Sequence, residues 1–218
     1  MTDSTVVREH EPSTPVGTSD SLINAAARHL TPWVEMWREA EPGFRPDSLI
    51  RVGTAPAFRG GYVQPLKNVY PPPAEQESAF RVLSARSPDG RYNLIFDWYQ
   101  NIEESGDELD ISGEPDSAPL LLDQRLGISN QFETCGTGCS FDWGVWLSPS
   151  SFALAGWQDE EGMGRHNQGR LKIYSLADST STTYVTQLTT AKGRDAYRAA
   201  WEKWVASRYH ALKTRPPS

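Results

Sequence analysis

At 218 residues the chain suits a single domain burying roughly 70% of its unfolded surface, and a formal net charge of −7 disfavours a general binder of phosphate backbones, which usually carries a basic patch. No apolar run approaches the roughly 20 residues of a membrane span. The opening stretch, MTDSTVVREHEPSTPVGTSD, has neither the basic nor the apolar part of a secretory signal. The expected compartment is the cytoplasm, unless a leader has been removed, and nucleic acid and membrane are not expected as partners.

Residues 1–19 are polar, with Pro12, Pro15 and Gly17, and read as a disordered arm. The rest, 20–218, reads as one domain. Leu22, Ile23, Ala26, Ala27 and Leu30 recur at helical spacing, with Ser19, Asp20 or Ser21 as candidate N-caps. Thr31-Pro32 reads as a second start, with Thr31 capping and Pro32 at a position where its missing N–H costs nothing. Residues 20–40 are therefore expected to be a helix broken near Pro32, with Trp33, Val34 and Trp37 on one face. Residues 44–78 are rich in Pro and Gly. They read as an ordered wrap with a short strand over Ser48–Val52, and Tyr70 before Pro71-Pro72-Pro73 reads as a stiff connector.

Between residues 79 and 190 the period becomes two. FRVLSAR leads through the turn SPDG into RYNLIFDWYQ; a long loop follows, then APLLLDQRL and a weaker run around NQFETCG. A second pass runs FDWGVWL, SPS, SFALAGWQ, a loop, RLKIYSL, ADSTST and TYVTQLT. Each pass predicts four strands in meander order. The C-terminal stretch 193–213 predicts a helix whose stripe is Tyr197, Trp201, Trp204, Val205, Tyr209 and Leu212, packed on a sheet.

The SPDG turn and the segment GRLKIYSLADST resemble the blade of bacterial WD40-like or TolB-like β-propellers. The resemblance covers about half the chain, and the second pass has Ser150-Ser151 where the first has Asp89-Gly90. Two units are too few to close a propeller, which takes four or more. The expected fold class is mainly β (α+β): a curved antiparallel meander of about eight short strands in two blade-like units, flanked by N- and C-terminal helices. An eight-stranded barrel is the alternative.

The chemistry visible in the sequence is acidic. Seven carboxylates lie between Glu103 and Asp116, with no Lys or Arg from Asn101 to Gln124. Glu103, Glu104, Asp107, Glu108 and Asp110 are expected on a mobile loop after the second strand of the first unit. Asp159, Glu160 and Glu161 hold the equivalent place in the second unit, so both groups are expected at one sheet edge as a docking surface for a basic protein partner. Trp98 and Trp157 end the strands beside them and join the candidate site, but their registers put the two rings on opposite faces. A calcium site is a weaker reading, since the ordered ligand spacing of an EF-hand is missing.

Cys135 and Cys139 are too sparse for a zinc site, and His10, His29, His166 and His210 contain no i,i+4 pair. In a reducing compartment the cysteines read as free thiols, although Gly136-Thr137-Gly138 would let them join in a short loop. No phosphate-loop, nucleophile-elbow, metalloprotease or dinucleotide motif occurs, so no catalytic residue, metal or cofactor is assigned. The function expected is a non-enzymatic binding or interaction domain. A small-ligand-binding barrel and a hydrolase using two loop carboxylates are the alternatives.

Overall fold

The computed structural model of the chain describes residues 21–58, 61–72, 77–105, 108–113, 116–159 and 167–213. The expected N-terminal arm lies outside them. Helix α1 (Ser21–Ala26) passes through a 3-10 turn into α2 (Thr31–Ala40), so the break falls where Pro32 placed it. Thr31 does not cap. Leu30 holds that position with φ −90° and ψ −4°, a near-helical entry in place of the extended one from which a side chain reaches the free N–H groups. Trp33, Val34, Met36 and Trp37 are buried from α2.

The wrap contributes two strands: β1 (Ile50–Pro56), longer than expected, and β2 (Tyr62–Pro65), which was not foreseen. Most of FRVLSAR is not strand. Helix α3 (Glu77–Val82) precedes a short β3 (Ser84–Arg86), because Ala79, Phe80, Val82 and Leu83 are all buried and fit a helical turn. Strands β4 (Tyr92–Ile95), β7 (Leu120–Asp123) and β8 (Ile128–Gln131) complete the first meander. The hairpin β5 (Gln100–Ser105) and β6 (Glu108–Gly113) is inserted after β4. The second meander is β9 (Cys139–Ser148), β10 (Ser151–Asp159), β11 (Asn167–Ser175) and β12 (Thr180–Val185), followed by α4 (Ala191–Lys213).

The fold is thus mainly antiparallel β with flanking helices, and each unit is a four-stranded meander carrying a fifth strand from the wrap, β1 in one and the unforeseen β2 in the other. Sheet A runs β1-β12-β11-β10-β9 and sheet B runs β2-β8-β7-β4-β3. Among the described residues no sheet closes, so the barrel alternative fails: the strands divide between two separate sheets.

The turn SPDG does what its residues suggest. Ser87 Oγ donates to Asp89 Oδ1 at 2.6 Å and accepts from the Tyr92 N–H at 2.9 Å, while Gly90 takes φ +72°. In the second unit Ser148 Oγ lies 2.7 Å from Ser151 Oγ and accepts from the Ser150 N–H at 3.2 Å, so serine hydroxyls replace the Asp-Gly pair.

The layers follow from alternation. One face of sheet A presents Trp146, Phe152 and Tyr174 to sheet B. Tyr92 stacks on Trp146 at 5.8 Å, Phe132 meets Phe152 at 5.7 Å, and Trp146 Nε1 donates to Ala85 O at 2.9 Å. Gly144 makes room for Phe96; a Cβ there would lie 2.6 Å from the ring. The opposite face of sheet A carries α2 and α4. Trp37 meets Tyr197 at 5.0 Å, and Trp201 Nε1 donates to Asp142 O at 2.9 Å. The far face of sheet B holds a second apolar cluster of Ile95, Leu120 and Leu122, covered by Val69 and Phe80. Helices α2 and α4, sheet A, sheet B, and the wrap with Phe80 of α3 therefore stack in that order.

Candidate functional site

The acidic stretch is not a plain loop. Strands β5 and β6 pair with Ile102 opposite Ile111, Glu103 opposite Asp110 and Glu104 opposite Leu109. Alternation sends Ile102, Glu104, Leu109 and Ile111 to one face and Glu103 and Asp110 to the other. Ile102 is buried, with Leu109 and Ile111 packed against the same core. With Glu202 and Ala206 of α4, Leu109 and Ile111 line a cleft of about 440 Å³. Lys213, at the end of α4, pairs with Glu104 and holds its carboxyl below the ordinary carboxylate range. Glu103 and Asp110 remain exposed, directly opposite each other. Asp107 lies outside the described residues, and of Glu108 only the backbone, at the start of β6, is described.

The second acidic group sits elsewhere. Asp159 ends β10, where its N–H donates to Gly138 O at 2.6 Å; Glu160 and Glu161 lie outside the described residues. Trp157, two residues before Asp159, carries the Arg194 guanidinium 5.3 Å above its ring. Arg194 is in the first turn of α4, and Lys213, beside the hairpin, is its last residue. At about 1.5 Å per residue, those two points on α4 are on the order of 28 Å apart. The expectation of one gathered acidic edge is corrected: the meander was split by the inserted hairpin and its strands went to two sheets. Trp98 lies in a third place, edge-on to Phe80 at 6.0 Å on the far face of sheet B, so the two tryptophans share no cage.

Beside Asp159, a cleft of about 1090 Å³ opens at the end of sheet A. Its lining includes Val52, Gly138, Cys139, Gln158, Gln168 and Gln187. One wall is the loop joining Cys135 to Cys139, which form a disulfide with Cα atoms 5.7 Å apart. The reading of two free thiols is thereby corrected: a turn in which the Cys139 N–H donates to Gly136 O at 3.1 Å brings the two cysteines together.

Two polar clusters were missed from sequence. Arg170, Lys172 and Tyr174 alternate along β11 and converge on Glu133: Lys172 Nζ donates at 2.6 and 2.7 Å, and Arg170 and Tyr174 also bond the carboxylate. Burial alone would raise the Glu133 carboxyl, but Lys172 and Arg170 outweigh it and hold it below its ordinary value. Burial and Glu133 push the Tyr174 hydroxyl well up. The alternating basic pair in GRLKIY was the available signal; Glu133, distant in sequence, was not.

The other cluster surrounds Asp142. In the β9–β10 pairing Trp143 faces Ala155 and Phe141 faces Gly156, so Asp142 is the extra residue of a bulge. Gly156 permits it, since a Cβ there would lie 2.1 Å from Ser140 O. The bulge aims the Asp142 carboxylate under α4, where Ser140 Oγ donates to it at 2.7 Å. Burial raises its pKa to about 6, with the nearby Asp97 adding to the rise. Tyr197 faces it, but the Tyr197 hydroxyl and Trp33 Nε1 are buried short of hydrogen-bond geometry. Asp97 is buried as well, accepting from the N–H groups of Tyr99 and Ala118 at 3.1 and 3.3 Å. Among the described residues no group of three His, Cys, Asp or Glu is placed to hold a metal ion, and no helix is long and apolar enough to cross a membrane.

No family model matches the chain, and no curated protein or solved structure matches it either.

Proposed function

We propose that this is a non-enzymatic interaction protein that meets a basic partner through the outward face of the β5–β6 hairpin. One observation carries the reading: Glu103 and Asp110 stand directly opposite each other on the solvent face, while Lys213 neutralises Glu104 on the inner one. Like charges facing across a strand pair cost stability. Their placement suits a surface whose charge is satisfied from outside. Titrating an arginine-rich peptide into the protein tests this. Binding is expected that weakens as salt rises and drops severalfold in the double variant Glu103→Gln, Asp110→Asn. Binding that is equal in parent and variant would refute it.

A second reading concerns a small ligand, held not inside a barrel but in the cleft at the end of sheet A. Gln158, Gln168 and Gln187 offer amides there beside the aliphatic Val52.

The blade-like reading is supported by the approach of the two first strands at Ala85 and Trp146. Both outer sheet faces are covered, one by α2 and α4 and one by the wrap and Phe80 of α3, so further blades have nowhere to stack. In the proposed cytoplasmic setting a disulfide is more often regulatory than structural.

A further inference from the structure

The sulfurs of Cys135 and Cys139 differ in access and in charge. Cys135 is 3% exposed and held by an antiparallel bridge to Ser117, with N–H···O distances of 2.7 and 2.8 Å. Cys139 is half-buried, begins β9 and lines the 1090 Å³ cleft. Its Sγ lies 3.8 Å from Nη1 of Arg170. Arg170 cannot lose its proton, and its other edge is on Glu133, which Lys172 shares. Two cations thus divide one carboxylate, and part of the guanidinium charge is left for the sulfur. Among the described residues, two further charged groups lie by the loop: Asp159, beside Gly138, and Asp116, beside Gly136. Both are acidic and oppose Arg170, but Arg170 is the group in contact with the sulfur.

We propose that Cys135 and Cys139 form a redox-active pair at the cleft, with Cys139 the attacking thiol and Cys135 the resolving thiol, acting on low-molecular-weight disulfides. A thiolate within reach of a guanidinium is stabilised relative to the thiol, so reduced Cys139 is ionised at a lower pH than an ordinary cysteine. It attacks one sulfur of the small disulfide; that S–S bond breaks, one small thiolate leaves and takes a proton, and a mixed disulfide remains on Cys139. Cys135, losing its proton, then attacks the Cys139 sulfur and expels the second small thiol. The net change is a protein dithiol and one small disulfide giving the Cys135–Cys139 disulfide and two small thiols. Access sets the order, since the buried Cys135 cannot meet a solvent-borne disulfide first. Closing the bond fixes the wall of the cleft, because Gly138 O is the acceptor for the Asp159 N–H.

The test uses the full chain, reduced with dithiothreitol, desalted and mixed with oxidised glutathione. The wild type is expected to release two glutathione thiols per chain and end with the internal disulfide. Cys135→Ser is expected to stop at one glutathione adduct on Cys139, and Cys139→Ser to form no adduct at a comparable rate. Arg170→Gln should raise the pH midpoint of Cys139 alkylation by about one unit. At pH 7 it should slow attack roughly threefold, since lost thiolate is partly offset by greater nucleophilicity. If that variant does not fold, the midpoint in Cys135→Ser decides alone: a value below about 8.5 supports the proposal. A midpoint at or above that value, or first modification at Cys135, overturns it.

Discussion

Asp142 sets a pH dependence that an exposed carboxylate would not. Its folded pKa of about 6 stands above the ordinary 3.8, so the folded state holds the proton more tightly than the unfolded chain. The stability it contributes is fully present below 3.8 and is lost as pH rises through about 6. At 1.36 kcal/mol per unit the loss is roughly 3 kcal/mol. Asp142→Asn keeps an acceptor for Ser140 and removes the buried charge. It should raise the melting temperature at pH 7 and flatten urea-measured stability between pH 4 and 6; a variant less stable than the parent at pH 7 contradicts this. Glu133 works in the opposite sense. Its folded pKa is lowered, so its contribution is present above its unfolded value and is lost as pH falls through the folded one. Glu133→Gln leaves Arg170 and Lys172 buried without their anion, and should cost about 3 kcal/mol or more in denaturant unfolding. A loss under about 1 kcal/mol would mean the cations find water instead.

At the level of elements, α4 and the hairpin make different contributions. Of the aromatic stripe on α4, Tyr197, Trp201 and Val205 are fully buried while Trp204, Tyr209 and Leu212 are half-buried. Trp201 is the anchor, and Trp201→Ala should lower stability by roughly 3–5 kcal/mol in urea titration. An unchanged transition would show that α4 is not seated on sheet A. On the hairpin, Ile102→Ala should cost about 2–4 kcal/mol, whereas Glu103→Gln with Asp110→Asn should leave the melting temperature level or slightly raised. The stripe on α4 was legible because a period of 3.6 over many residues has few rival explanations. The hairpin was not, because seven carboxylates hid the alternation of Ile102, Glu104, Leu109 and Ile111. Helix α3 was missed for a related reason: Phe80 and Val82 alternate like a strand, and only the burial of Ala79 and Leu83 beside them reveals the helix.

For the molecule as a whole, local order was readable and distant pairing was not. Both meanders could be traced because their turns, SPDG and SPSS, carry their own chemistry. Strand β1 was legible only as a short segment over Ser48–Val52 and β2 not at all, and neither could be joined to a sheet, because their partners are remote: Ile50 pairs with Val185 and Tyr62 with Gln131. They form the outer edges of the two sheets, where Pro56, Pro65 and the irregularity between Arg51 and Gly53 blunt further pairing. The candidate site shows the same division. Its carboxylates were visible, but the cation that steadies the hairpin, Lys213, stands 109 residues from Glu104. What remains outward on that hairpin is negative charge, and charge at a surface acts chiefly on association rate. The most direct measurement is therefore stopped-flow association of a fluorescent arginine-rich peptide across a salt series. The proposed docking face predicts a rate for the parent that falls steeply as ionic strength rises, and a slower, flatter dependence for Glu103→Gln with Asp110→Asn at unchanged melting temperature. A parent rate indifferent to salt, or identical curves for parent and variant, would contradict it.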